Sequence, residues 1–348
     1  MKISKKIFGT LPDGSKADLY TLEGNNGFVV QFTSFGGIIT SIQYPNRKGK
    51  VEELTLGFDT LEEYTKTRYY FGASIGRFGN RIANGRFTLE GREYTLPQNN
   101  GTNCLHGGLD HAFDRKNWLT TPFENKDSVG VILNSFSPDG EEGFPGNLST
   151  TMTYTLTYKG ELILDYKAVT DKATPVNLTN HTYFNLSGIA TGTILDHRLQ
   201  LDCPFYLPVD ENLIPTGEIL SVKNTEMDFT TEEAIGTRID QVAGGGYDHC
   251  YVLPSGREVR KYGTVYDPHS GRIMNVFTDQ PGVQLYTGNS LDNVKGRGSQ
   301  VYKKNGGFCL ETQMFPDCVN QTHFPDCILR PGEVYSHTSA YQFSVKKV

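Results

Sequence analysis

An imidazole sits inside a polar alternation in the segment Val176-Asn177-Leu178-Thr179-Asn180-His181-Thr182-Tyr183-Phe184-Asn185-Leu186. If the segment is extended, successive side chains point to opposite faces. Val176, Leu178, Phe184 and Leu186 then share one face, and Asn177, Thr179, His181, Tyr183 and Asn185 share the other. An outer, solvated face would more often carry Lys and Glu. Amides, hydroxyls, a phenol and an imidazole can line a cleft for a polyhydroxylated ligand. They can equally form a structural polar ladder at a sheet edge, and the pattern alone leaves the two readings level.

A carboxyl stands out for a different reason. Glu311 lies in Gly306-Gly307-Phe308-Cys309-Leu310-Glu311-Thr312-Gln313, a mostly apolar run, on the face of Cys309 and Gln313. A half-buried carboxyl has a raised pKa unless cations or hydrogen-bond donors surround it. A raised value moves it toward use as a base near neutral pH. A Glu paired with a structural Arg is the ordinary alternative, and it prevails without further evidence. Asp248, in Gly245-Gly246-Tyr247-Asp248-His249, opens the strand-like Cys250-Tyr251-Val252 and reads equally as a strand-entry Asp.

Other candidates are weaker. His106 precedes Gly107-Gly108, whose freedom allows close approach to a ligand or to another chain segment. His106 and His111 do not match zinc-site spacing, and the remaining histidines read as turn or surface residues. Arg77 and Arg81, in Gly76-Arg77-Phe78-Gly79-Asn80-Arg81-Ile82-Ala83-Asn84-Gly85, offer guanidinium forks for hydroxyls or carboxylates, or plain bridges between loops. Gln284, in Gly282-Val283-Gln284-Leu285-Tyr286-Thr287, is a ligand contact or a satisfied core amide.

Strands must position these groups, because the dominant hydrophobic period is two. Phe87, Leu89, Tyr94 and Leu96 alternate around a tight turn at Glu90-Gly91. Leu148, Met152, Tyr154, Leu156 and Tyr158 lead through Lys159-Gly160 to Leu162, Leu164, Tyr166 and Ala168. Nineteen Tyr and 20 Phe against one Trp suit half-buried pleated surfaces. Helix starts are few: Thr60-Leu61-Glu62-Glu63 and Thr230-Thr231-Glu232-Glu233 both read as capping boxes. No strand–helix alternation recurs, so the expected fold is all-β, a large antiparallel β-sandwich with few short helices.

Composition excludes several function classes. With a net charge of −6 the 348-residue chain lacks the basic footprint of a nucleic-acid binder. No apolar run approaches the ~18 residues of a membrane span, and the N-terminus lacks a signal peptide's apolar stretch, so a cytoplasmic location is expected. The six cysteines form no Cys-x-x-Cys pair and should be free thiols in a reducing compartment.

Taken together, these segments resemble the aldose 1-epimerases. The matching pieces are the Gly76–Gly85 run, Asn103-Cys104-Leu105-His106-Gly107-Gly108, the Leu178–Leu186 run, Gly246-Tyr247-Asp248-His249 and Leu310-Glu311-Thr312-Gln313. Phe315-Pro316-Asp317 and Leu329-Arg330-Pro331-Gly332-Glu333 follow, all in the family's order. The resemblance covers the chain as one domain, residues 1–348. It implies a β-supersandwich with an open cleft for a small-molecule hexose, no metal and no organic cofactor, in a monomer or homodimer. It implies interconversion of the α and β anomers of galactose or glucose. By position Glu311 matches the family's general base, His181 its general acid and His106 the second active-site histidine. Asn80, Arg81, Asp248 and Gln284 match sugar-contacting positions, and Tyr183 joins them from the polar face of its segment. Gly79 stands where Ala is frequent and Cys250 where Asn is frequent; neither removes a proton-transfer group.

On this reading Glu311, as carboxylate, takes the C1 hydroxyl proton while His181, as imidazolium, gives one to the ring oxygen. Nearby carboxylates would raise the imidazole toward working pH. The competing readings are a carbohydrate-binding protein without catalysis, a glycoside hydrolase using Asp248 and Glu311, a hexose-6-phosphate 1-epimerase with added cations at the cleft mouth, and a metalloenzyme on His106, His181 and Glu311.

Overall fold

A computed structural model describes residues 1–254, 256 and 258–346. Antiparallel strands dominate it. A nine-stranded sheet runs in the order Leu119–Glu124, Ser128–Ser137, Leu148–Thr157, Glu161–Thr170, Tyr335–Val345, Arg272–Thr278, Arg260–Tyr266, Arg198–Leu201 and Glu233–Ala234. A five-stranded meander, Lys2–Thr10, Lys16–Glu23, Val29–Thr33, Ile39–Pro45 and Val51–Glu53, packs on it. A second five-stranded sheet runs Leu220–Ser221, Phe205–Tyr206, Asp248–Val252, Gly282–Tyr286 and Cys309–Gln313.

The main core lies between these layers. Phe32 and Ile42 from the meander, Tyr154, Leu164 and Val276 from the nine-stranded sheet, and Tyr251, Leu285 and Leu310 from the second five-stranded sheet belong to one buried cluster. This is the β-sandwich that the period-two pattern predicts, since every inner face supplies alternate residues to a shared apolar layer.

Both expected hairpins form. Leu89 pairs with Arg92 across Glu90-Gly91, both of which have positive φ, as a type I′ turn requires. Leu156 pairs with Leu162 across the Lys159-Gly160 turn. Thr60 caps the short helix Leu61–Lys66 with a capping box closed by Glu63. The second expected helix start is a correction. Thr230 instead closes a turn on Asp228, and Glu233 enters the strand Glu233–Ala234. No apolar face stands behind that capping-box pattern to support a helix, so the local signal has nothing to nucleate. Among the described residues no helix is long and apolar enough to cross a membrane. All six cysteines are buried and free.

The second five-stranded sheet explains where chemistry can occur. On Cys309–Gln313, Leu310 enters the core, while Cys309, Glu311 and Gln313 point to the opposite face. On Gly282–Tyr286, Leu285 and Val283 enter the core, so Gln284 and Tyr286 turn the other way. Gln284 and Glu311 are directly paired across the ladder. Loops close over that outer face and bury it.

Candidate active site

The outer face of this sheet and its covering loops enclose an open-mouthed cavity of about 460 Å³, within the usual range for small-molecule sites. Asn80, Arg81, His106, His181, Tyr183, Asp248 and Glu311 all line it. Gln284 does not; it is buried behind the wall and donates through Nε2 to Asp248 Oδ1 at 2.7 Å. Residues that are far apart in sequence therefore converge on one site, with Gln284 supporting it from behind.

The segment around His181 is not one continuous strand. Only Thr179–Asn180 forms a strand, paired with Ser74–Ile75, and Asn177 and Phe184 make isolated bridges. Its apolar side behaves as expected, with Val176, Leu178, Phe184 and Leu186 in the main core. The polar side divides. Asn177 is structural: its amide donates to the Gly79 carbonyl, and its carbonyl accepts the Gly79 N–H. Asn185 donates to the Gly306 carbonyl. His181 and Tyr183 alone of the five reach the cavity. Both readings of the pattern thus apply, to different residues.

His181 Nε2 lies 3.6 Å from Glu311 Oε1, and both residues are almost fully buried, at 5% and 2% exposure. Burial pushes the His181 ring down to about 4, although a hydrogen bond to its own backbone opposes this. Burial also pushes Glu311 well above the usual carboxylate range; the charge of Asp248 adds to the rise and Arg81 opposes it. Both groups are therefore driven toward their neutral forms. This corrects the expected imidazolium, because desolvation outweighs the attraction of the neighbouring carboxylates. The directions of both shifts favour a carboxylic acid facing a neutral imidazole across 3.6 Å. Glu311 Oε2 has no hydrogen-bond partner among the described residues, so an acceptor remains for a ligand hydroxyl.

His106 is held differently. The Asn80 backbone N–H donates to His106 Nδ1 at 3.1 Å, and the His106 backbone N–H donates to the Asn80 backbone carbonyl at 3.0 Å. Asn80 and His106 both have positive φ, which lets the two loops face each other in this reciprocal arrangement. A nitrogen that accepts a backbone N–H carries no proton, so the neutral ring must carry its proton on Nε2. Burial, followed by the charges of His181 and Arg81, drives His106 well below its ordinary pKa. It therefore offers the cavity a neutral N–H donor. His106, His181 and Glu311 have potential ligand atoms within 4.8 Å of one another. The donor set does not fit a cation, however, because the His106 lone pair is already used by Asn80.

Gly107 and Gly108 do permit a close approach, but to the chain itself. A Cβ on Gly107 would meet the Gly76 carbonyl, and one on Gly108 would meet the Glu142 side chain. The two arginines also separate. Arg77 is structural and buried, donating to Ser137 Oγ and to the carbonyls of Ser137, Pro138 and Pro145. Arg81 donates to Asn100 Oδ1 at 3.0 Å and stands 3.8 Å from Asp248. Asp248 is thus fixed on both sides, by Gln284 and by Arg81.

Several lining residues escaped the sequence reading. Tyr70, at φ +58°, sets its ring edge-on to His106 at 4.7 Å and roughly parallel to His181 at 5.8 Å. Tyr286 closes the other side, edge-on to Tyr183. Arg68, Glu211, Asn289 and Ser290 also line the cavity. Nothing in their local sequence distinguishes them from surface residues.

The aldose 1-epimerase family model matches residues 18–342. Galactose mutarotase of Bos taurus is 45% identical over 347 residues, covering 99% of each chain. The aldose 1-epimerase of Escherichia coli (strain K12) is 39% identical over 339 residues, covering 95% of this chain and 96% of its own. The crystal structure of galactose 1-epimerase from Lactobacillus acidophilus NCFM superposes with a TM-score of 0.86 at 27% identity, covering 99% of each chain. The match runs through every segment that builds the cavity, and the chain belongs to the aldose 1-epimerase family.

Proposed function

We propose that the protein is an isomerase, an aldose 1-epimerase acting as a mutarotase on galactose or glucose. The observation that carries this reading is the buried pair Glu311 and His181, with Nε2 3.6 Å from Oε1 and both facing the one cavity; we read the pair as carrying a single transferable proton. Ring opening of a hemiacetal removes a proton from the C1 hydroxyl and delivers one to the ring oxygen. Closure to the other anomer reverses both transfers. Two groups that hold one proton between them can begin and end the cycle in the same state, with no covalent intermediate and no cofactor. Glu311 faces the C1 hydroxyl and His181 the ring oxygen; the proton's return path is set when the aldehyde turns about C1–C2. Each such transfer typically contributes ~10²–10⁴-fold in rate.

The other groups bind and stabilise. His106 Nε2–H donates to an oxygen on which negative charge develops. Asn80, Arg81, Asp248 and Tyr183 hold the hydroxyls that do not react, and Gln284 acts through Asp248. An anchored sugar can then present either face of C1.

The cavity's charge supports an unphosphorylated sugar. Its lining has two arginines and three carboxyls, Glu211, Asp248 and Glu311. Arg68 is paired with Asp110 at 2.6 Å, and Arg81 lies beside Asp248. No surplus cation is left among them for a 6-phosphate. The fixed position of Asp248 also argues against its use as a hydrolytic acid. The same reading takes residues 1–348 as one aldose 1-epimerase domain in a cytoplasmic enzyme, monomeric or homodimeric. Polarimetry of freshly dissolved α-galactose and α-glucose tests it: accelerated decay to the equilibrium rotation is expected, and a decay at the spontaneous rate for both sugars would overturn it.

A further inference from the structure

Cys309 shares the outer face of its strand with Glu311 but does not line the cavity. Its Sγ lies 3.4 Å from His181 Nδ1, and the side chain is fully buried. His181 is otherwise surrounded by Glu311, His106, Tyr70, Tyr183 and Tyr286. Its two ring nitrogens thus have distinct neighbours, a carboxyl at Nε2 and, at Nδ1, the Cys309 sulfur beside the residue's own backbone.

A thiol beside an imidazole can act as a nucleophile when it loses its proton. Here burial, reinforced by the charges of Glu311 and Asp248, raises the thiol well above its ordinary pKa. Burial therefore favours the thiol over a thiolate nucleophile. What remains is a hydrogen bond between a neutral sulfur and an imidazole nitrogen, and its direction selects the tautomer.

We propose that Cys309 is a positioning residue: its sulfur accepts the Nδ1–H of His181 and so leaves Nε2 free to exchange the working proton with Glu311. The assignment rests on the proton-sharing reading given above. If Nε2 instead carried the resident proton of the neutral ring, it would have no lone pair to receive the proton that Glu311 holds. With the proton kept on Nδ1, either partner can hold the transferable one. Sulfur is a weak acceptor, which suits a bond that must hold the ring without raising its basicity far.

The test combines a spectroscopic and a kinetic measurement on the full-length protein. Long-range ¹H–¹⁵N correlation of the histidine rings, with His181 assigned by its loss in His181→Asn, should show the Nδ1–H tautomer in the wild type. Cys309→Ala should give a mixture of tautomers. It should lower kcat about three- to tenfold, the usual worth of one such bond, with KM changed less than about twofold. Cys309→Ser, which keeps an acceptor, should restore both the tautomer and most of kcat. A wild-type Nε2–H tautomer overturns the proposal, and so does Cys309→Ala with unchanged tautomer, kcat and pH profile. The wild-type spectrum decides the question even if the alanine variant fails to fold. If Glu311→Gln and His181→Asn retain full activity, the proton-sharing reading itself fails; if they lose it while the Cys309 variants behave as wild type, only this inference does.

Discussion

Replacing Glu311 with Gln separates function from stability in a way the buried site makes quantitative. The substitution keeps shape and removes the ionisable proton. Proton transfer at one oxygen of the acetal then has no group to carry it. A loss of about 10²–10⁴-fold in kcat is expected, equivalent to about 3–5 kcal/mol of transition-state stabilisation. Sugar affinity should change less, because Asn80, Arg81 and Asp248 remain. Stability should move the other way. Burial raises the Glu311 carboxyl well above its ordinary value near 4.5, so above that pH the folded state binds more protons here than the unfolded state does. Wild-type stability therefore falls at this site as pH rises from about 4.5, by up to about 1.4 kcal/mol per pH unit, until the folded carboxyl ionises. Gln carries no such penalty. Denaturant unfolding of both proteins from pH 4.5 to 8, beside polarimetry with α-galactose, should show the variant gaining on the wild type with pH while remaining nearly inactive. A variant that turns over normally, or one whose stability relative to wild type is independent of pH, would refute the reasoning.

Other expectations follow from the same contacts. His106→Ala removes the N–H donor and leaves the buried Asn80 N–H unpaired, so kcat should fall roughly 10²-fold with a loss of about 1–3 kcal/mol in stability, read by polarimetry and urea unfolding. Gln284→Leu releases one side of Asp248 without touching the proton pair; KM for galactose should rise severalfold while kcat changes less, as steady-state kinetics would reveal. Acid should destabilise the fold between pH 6.5 and 4. Burial pushes His181, His197 and His337 down to about 4 each, so over that range the unfolded chain takes up more protons, at about 1.4 kcal/mol per pH unit for each ring; circular dichroism titrations would measure it. Treatment with a chelator should leave kcat unchanged, since His106 Nδ1 is occupied by Asn80, and loss of activity restored by a divalent cation would contradict this.

Two hairpins, one capped helix, the all-β class and the apolar faces were legible in the sequence, because each depends on residues a few positions apart. The alternation at 176–186 marked which side of that segment enters the core. The Cys309/Glu311/Gln313 face was legible for the same reason. Sequence resemblance, and not periodicity, supplied the roles of Glu311, His181 and His106. Tertiary structure alone decided that Asn177 and Asn185 tie loops while His181 and Tyr183 reach the cavity, and that Arg77 is structural while Arg81 is not. It also set the direction of the pKa shifts: burial disfavours the imidazolium expected at His181 from neighbouring carboxylates, because the cost of burying charge depends on how completely the surrounding chain excludes water. Tyr70 and Tyr286 join the site for a similar reason, since one arrives from a loop and the other from the end of the strand Gly282–Tyr286, far apart in sequence. Period and turn chemistry are properties of neighbours in sequence. Desolvation and convergence are properties of neighbours in space, and they exist only once the sandwich has closed.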